Sequence, residues 1–543
     1  MRSHHTRSVS WPRLRQGGHL PSLALFVALA LVHTWPLASD LSHLARTDNA
    51  DASLNIWAVS WVGSHLFTEP GQLFDANIFY PERRTLAYSE VMLWQGVLAA
   101  PVLALGGPPV LAFNVALLAG FVLTGWAFCL LVQRWTGSWT AGLVSGSLAA
   151  FNAHVLVRMG HLQTVHPEFF PVMLYALDRL VVSRRFMHAI WLSVGFVLQA
   201  LTSIYMLVFS VWTLLCAFAG RVTDWIRHAG RVLALLAVSA ALSIVMLWPT
   251  LSPYRQLQAE SGLARGAQEQ IAGSWWDYTA TGARVHRWWI PDQAAGSVAY
   301  AFPGITAIVL MAMALSRRDI RSDPRFRMCA VAAAGCLAIS MAPRLPFYAV
   351  LHQAIPLFQA VRVPARLSQE VLLMIAVLAG FGVTALHRRW PKLAVWPITA
   401  VLVLLVNVEA FRAPIGYVRF SGVPEVFASL AAERGAVVVE LPFPIPQQWF
   451  LNATYMLNST RHWRPMLNGY SGFRPASYEK SYEAARNFPH EDALIALNAL
   501  GVTHIIVHTD AMGADRVAEL TKVQSLQQIA SEGDILIYRF RAR

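Results

Sequence analysis

The sequence predicts an all-α polytopic membrane domain of about eleven transmembrane helices, followed by a C-terminal extracytoplasmic α/β domain. Three observations predict it. Of 543 residues, 56% are hydrophobic and only 13% charged, outside the ordinary soluble range and far from disorder. Apolar runs recur from about residue 20 to residue 411. One long polar stretch remains, 412–543, in which short strand-like and helical patterns alternate.

A chain in hydrocarbon must pair its backbone groups internally, and about 20 mainly apolar residues do so as a spanning helix. The runs that qualify are 19–39, 110–132, 139–157, 167–182, 188–202, 204–219, 231–248, 298–315, 328–343, 367–386 and 393–411. The first lacks a small-residue cleavage site and is kept as helix one rather than a signal peptide. The stretch 188–219 is too long for one span and has basic loops at both ends, so it is read as two helices turning near Thr202, Ser203 and Ile204. Met92 to Leu105 is short and carries Pro101. Counting it as a span would put Arg184 and Arg185 opposite the basic N-terminus, so it is read as interfacial or re-entrant.

The net charge of +13 is concentrated in short inter-helix loops. Arg2, Arg7, Arg13 and Arg15 precede helix one; Arg184 and Arg185, then Arg221, Arg227 and Arg231, then Arg317, Arg318, Arg321, Arg325 and Arg327, and finally Arg388, Arg389 and Lys392 follow. That is the positive-inside pattern. It places residues 1–18 in the cytoplasm and, with eleven spans across 19–411, puts loops 40–109, 249–297 and 344–366 and the tail 412–543 outside, in a bacterial inner membrane. No basic stripe interleaved with aromatics marks a nucleic-acid surface. Cys129, Cys216, Cys329 and Cys336 all lie in apolar runs, so they encode packed thiols rather than disulfides or a zinc site.

In the tail, Val437 to Leu441, Ile505 to His508 and Ile535 to Phe540 read as strands, and Asn452 to Thr460 and Glu491 to Leu500 as helices. Gly501 is placed as a helix C-cap leading into a strand. The sequons at Asn452 and Asn458 fall within a predicted helix and are read as chance.

Loop 40–90 is acidic where the others are basic, with Asp40, Asp48, Asp51, Glu69, Asp75, Glu82 and Glu90. Asp48 and Asp51 precede a stretch, Ala52 to Phe67, in which Leu54, Trp57 and Trp61 recur at helical spacing. This predicts a helix lying in the membrane surface with both tryptophans at headgroup depth. A carboxylate at its start would stand where lipid meets water. The plainer reading is that one aspartate is simply the helix N-cap.

The loop sequence Asp48-Asn-Ala-Asp51-Ala-Ser-Leu-Asn-Ile-Trp57 after a first helix, then Asn77-Ile-Phe-Tyr-Pro81, resembles the polytopic glycosyltransferases of the GT-C superfamily, in a bacterial branch. Gly160-His-Leu-Gln163, Arg362-Val-Pro-Ala-Arg366, Val439-Glu-Leu-Pro442 and Asn468-Gly-Tyr470 extend the resemblance over nearly the whole chain. The resemblance implies a GT-C-like membrane domain and inverting transfer of a hexosyl or pentosyl group from a polyprenyl-phosphate donor to an envelope glycan, lipid or protein. It further implies that an acidic residue of the first loop is the general base, carried by position to Asp51 or Asp48, with Asp51 favoured because it directly precedes the Leu-Asn-Ile-Trp stretch. No metal or other cofactor is assigned. Asp48-x-x-Asp51 is not the compact acidic pair of some relatives, so a divalent cation stays an open alternative.

A leaving phosphate needs cationic partners, and arginine grips it in two places at once. Arg362 and Arg366 flank Pro364 ahead of a helix, and Arg158 stands near His161 and His166 in another turn. Snorkelling at the interface is the competing reading for Arg362 and Arg366. His161, His166 and Glu168 have no recognised zinc spacing. Tyr205, at the turn of the split helices, is placed near the headgroup. Trp275, Trp276, Trp288 and Trp289 read as an aromatic belt, and Asp277 and Asp292 as further acceptor contacts. Asp178 and Glu409 lie near the ends of spans, where snorkelling or pairing with Arg179 and Arg412 keeps the cost low. A lipid or glycan transporter or flippase is the main rival, but no midplane carboxylates or paired halves favour it. A non-catalytic envelope scaffold is the third reading.

Overall fold

The structure is a computed structural model that describes residues 18–261, 270–290, 296–344, 348–354, 359, 361–391 and 394–541. Arg2, Arg7, Arg13, Arg15, Asp292 and Lys392 lie outside the described residues.

Each of the eleven apolar runs contains a helix. They are α1 (His19–His33), α4 (Pro109–Thr136), α5 (Trp139–Ala150), α7 (Phe170–Ser183), α8 (Phe186–Ala200) and α9 (Ile204–Ala219), then Ala229–Ser261, Ile305–Ser316, Pro324–Ser340, Ser368–Arg389 and Val395–Ala410. Between them lie α2 (Ala50–His65) and α3 (Leu93–Ala104) in loop 40–109, and the short α6 (Ala153–Val157). Among the described residues four helical stretches are long and apolar enough to cross a membrane: Pro109–Thr136, Trp139–Val157, Val222–Glu260 and Pro364–Arg389. The break in 188–219 falls at 201–203, where the Ser203 hydroxyl accepts from the Tyr205 and Met206 amides and starts α9. Gly137, at φ 74°, ends α4 in the left-handed region, and Ser138 caps α5 directly after it. Asp178 and Glu409 have partners distant in sequence. Asp178 pairs with the buried Arg221, and Glu409 accepts from the Thr306 amide at 2.9 Å. In both cases an element distant in sequence supplies the donor. The four cysteines are free and lie within the helices.

The largest departure from expectation is α2. It is not laid open to lipid: Ala52 through Val62 are all buried within the protein. Trp57 and Trp61 are 2% and 5% exposed. Their indole N–H groups donate to the Asn77 side-chain oxygen at 3.3 Å and the Leu73 carbonyl at 2.8 Å. Buried tryptophan needs such partners, and both come from the loop that follows the helix.

The tail carries a four-stranded sheet in the order β3-β4-β6-β5, from β3 (Val438–Leu441), β4 (His504–His508), β5 (Leu526–Glu532) and β6 (Ile535–Phe540). β3 and β4 are parallel and the other pairings antiparallel. Gly501, at φ 86°, follows the helix Glu491–Ala499 and turns the chain into β4, as its placement as a C-cap requires. β5 carries no apolar run because it is a mostly exposed edge strand with an irregularity between Gln528 and Ala530. Asn452 and Asn458 are buried.

Loop 40–109 is stitched to this tail twice. Strand β1 (Leu44–Ala45) pairs antiparallel with β2 (Val418–Arg419). Further on, the Phe79 and Tyr80 amides donate to the Asn468 and Met466 carbonyls, and the Met466 amide donates back to Asn77. The Val438 amide of β3 in turn donates to the Pro465 carbonyl and the Leu467 amide donates to the Val438 carbonyl, which sets Met466 opposite Val438. The Asn77-to-Pro81 and Asn468-to-Tyr470 motifs, nearly 400 residues apart, are therefore neighbours. One apolar core runs from α1, α2 and α4 through this junction to the tail strands.

Candidate functional site

The site begins at the first turn of α2. Asn49, not either aspartate, is its N-cap: the Asn49 side-chain oxygen accepts from the Asp51 amide at 2.8 Å and the Ala52 amide at 3.4 Å. Asp51 is thus fixed in the first turn, where the aligned peptide dipoles favour a negative charge. The burial of the rest of α2 gives this carboxylate a rigid platform. Asp48, one residue before the cap, is held by Arg46 at 3.0 and 3.2 Å and lies at the surface.

Two distant segments close on Asp51. The turn after α6 packs against the same helix face: the Asn55 side-chain amide donates to the Gly160 carbonyl at 2.8 Å, and a Cβ on Gly160 would meet the Ala52 Cβ at 3.2 Å. A larger residue would push the turn away. Its close approach sets His161 Nε2 3.8 Å from Asp51 Oδ2. From the tail, the Tyr470 hydroxyl donates to Asp51 Oδ1 at 2.6 Å. Sequence reasoning placed Tyr470 within a motif but gave it no role, since nothing local marks a partner 419 residues away.

The cations gather beside this carboxylate. Arg158 follows α6 and donates to the Val298 carbonyl, and it is close enough for the charges of Arg366 and Asp51 to bear on it. Burial, then Arg366, lowers its guanidinium to about 10, so it stays charged at neutral pH. Burial and the same Arg366 bring His161 down to about 4, against the opposing pull of Asp51, so its ring is neutral at pH 7.

Arg366 lies over the Tyr205 ring at 5.1 Å in a cation–π contact. The Arg362 backbone amide donates to the Tyr205 hydroxyl at 3.3 Å, which ties the Arg362-to-Arg366 segment to the start of α9. Glu90, which the sequence reading left without a role, accepts from the Ile204 amide at 2.7 Å. Burial raises its carboxyl, while Ser203, Ile204 and Arg366 oppose the rise.

Asp51, His161, Arg158, Arg366, Arg362 and Tyr205 are therefore linked through one cluster. Asp48 pairs with Arg46 instead. His166 turns away to Glu168 at 2.9 Å, a carboxylate that also accepts from Trp94. Asp277 is not an open acceptor contact: it is buried and spent on the Ser274 and Ala299 amides. Among the described residues, the His, Asp and Glu side chains grouped as a metal would need them are His508, Asp510 and Asp534, which include neither loop aspartate.

No protein-family model matches the chain, and no curated protein matches it. Solved structures do. A cryo-EM structure of the arabinofuranosyltransferase AftD from Mycobacteria aligns over 96% of this chain at TM-score 0.55 and 14% identity. A mutant of the same protein aligns over 96% at TM-score 0.58 and 14% identity. The chain spans about two fifths of AftD, 40% and 41% of the two structures. The oligosaccharyltransferase AglB from Archaeoglobus fulgidus aligns at TM-score 0.47 and 12% identity, over 92% of this chain and 70% of that one. The chain thus shares the fold of AftD over nearly its whole length.

Proposed function

We propose that this chain is a membrane glycosyltransferase that moves a sugar from a polyprenyl-phosphate donor to an envelope acceptor on the outer face of the inner membrane. One observation carries the reading: a carboxylate fixed at the start of a buried helix stands close enough to Arg158 for their charges to interact, with Arg366 alongside Arg158. A base and a phosphate site side by side are what inverting transfer requires. The AftD likeness supports the reading in kind, since that protein is named as an arabinofuranosyltransferase.

In this scheme the acceptor hydroxyl approaches Asp51 Oδ2, the oxygen not engaged by Tyr470. It gives up its proton as its oxygen bonds to the anomeric carbon, and the carbon–oxygen bond to phosphate breaks on the opposite face. The departing phosphate takes the bonding pair. General-base assistance of this kind contributes about 10²–10⁴-fold. Arg158, Arg366 and Arg362 meet the phosphate charge, and a guanidinium presents the paired donors that fit two phosphate oxygens. His161 is neutral, so its part is to orient Asp51 or the acceptor by hydrogen bonding rather than to supply charge. Tyr205 holds Arg366 in place beneath the headgroup.

Glycan profiling tests the assignment. Envelope glycans would be compared between cells making the wild-type chain, cells lacking it, and cells making Asp51→Asn. The reading expects one sugar to be missing in both the second and third strains; identical glycans in all three would reject it.

A further inference from the structure

We infer that Tyr470 is a positioning residue of the transfer site, supplied by the tail to hold the Asp51 carboxylate with one oxygen occupied and the other open to the acceptor. The inference rests on the proposed base role of Asp51 and adds the tail to the machinery. Its geometry is direct. The hydroxyl-to-carboxylate distance is 2.6 Å, and the side chain carrying the hydroxyl is held from several directions. The Tyr470 ring meets Trp449 edge-on at 5.1 Å, and Arg474 lies over the Trp449 ring at 5.8 Å. The Tyr470 amide faces Met456 sulfur at 3.1 Å. Just before it, Gly469 presses so closely on loop 40–109 that a Cβ there would fall 2.6 Å from the Phe79 ring. Only a residue without a side chain lets the segment approach far enough for the hydroxyl to reach Asp51.

A short hydrogen bond to a charged acceptor restricts the carboxylate to one rotamer. Deprotonation of a hydroxyl by a carboxylate needs that fixed geometry, and small misplacements are costly. Around this pair stand His161, 3.8 Å from Asp51, Arg158 and Arg362, whose charges bear on Asp51 and Tyr470, and Arg366, whose charge bears on Arg158 and His161. Burial, then the bond to Asp51 and its charge, raise the Tyr470 phenol, while Arg362 opposes them.

The test uses the full-length protein in nanodiscs with 3-nitrotyrosine placed at position 470, whose phenolate absorbs visibly. Replacing Asp51→Asn in that background removes the carboxylate that disfavours the phenolate, so the titration midpoint falls by about one pH unit. An unmoved midpoint would overturn the inference. No turnover is needed, so this readout stands whether or not the transfer reading holds. In a transfer assay, Tyr470→Phe keeps the ring against Trp449 and is expected to lower kcat about tenfold with the donor KM unchanged. Gly469→Ala, which displaces Tyr470 without altering it, should lower kcat in the same way. Wild-type kcat in both variants would overturn the inference; full transfer by Asp51→Asn would instead reject the base while leaving the spectroscopic coupling intact.

Discussion

A carboxylate serves as a base only if its own hydrogen bonds leave one lone pair free, and Asp51 meets that condition where Asp48 does not. Asp48 is held on both oxygens by Arg46, whereas Asp51 gives one oxygen to Tyr470 and turns the other towards His161. Asp48→Asn is therefore expected to retain most activity. Arg366→Gln removes a proposed phosphate partner and the ring contact with Tyr205, so the donor KM should rise about tenfold or more in a transfer assay, with a smaller change in kcat. Of the residues chosen from sequence, Asp51, His161, Arg158, Arg366, Arg362 and Tyr205 are brought together, while Asp48 and His166 take partners elsewhere. The choice between Asp48 and Asp51 was not legible from sequence, because it turns on Asn49 acting as the cap and on a tyrosine 419 residues away.

Elements explain why those side chains meet. Helix α2 is a platform because it is buried, and its burial was hidden in the sequence because Trp57 and Trp61 read equally well as an interfacial pair. What distinguishes the two cases is the supply of acceptors for their N–H groups, and Leu73 and Asn77 stand 12 and 20 residues downstream. The Asn77 side chain also donates to Ser459 at 3.0 Å and to the Arg464 carbonyl at 3.2 Å. Asn77→Ala strands buried groups on both sides and should cost about 1–3 kcal/mol, read as a lower melting temperature. Gly160→Val is expected to act differently. A Cβ with two further methyls forces the turn off Ala52 and carries His161 away from Asp51, so activity should fall well before thermal stability does.

At the scale of the whole molecule, the tail completes the structure that loop 40–109 begins, since pairing, motif contacts and one apolar core join them. Three of the four strands of the tail sheet were readable from sequence, and β5 was not, because an exposed edge strand need not be apolar. The joining of loop and tail left no local trace at all. Acid should loosen this assembly through its buried histidines. Burial brings His161 to about 4 and, with Arg464, His462 to about 3, against an ordinary value of 6.5. The unfolded chain then binds protons that the folded chain refuses, so their contribution to stability is present above pH 6.5 and lost as pH falls towards 4. His462→Gln should flatten the fall in melting temperature between pH 6.5 and 5. The proposed orientation predicts that a cysteine replacing Asp48 reacts with an impermeant maleimide in intact spheroplasts; reaction only after permeabilisation would place the loop in the cytosol. The most direct measurement is transfer of a radiolabelled sugar from a prenyl-phosphate donor by purified protein. Asp51→Asn should lose about 10²-fold or more in rate while Asp48→Asn stays near wild type, and undiminished transfer by Asp51→Asn would contradict the account.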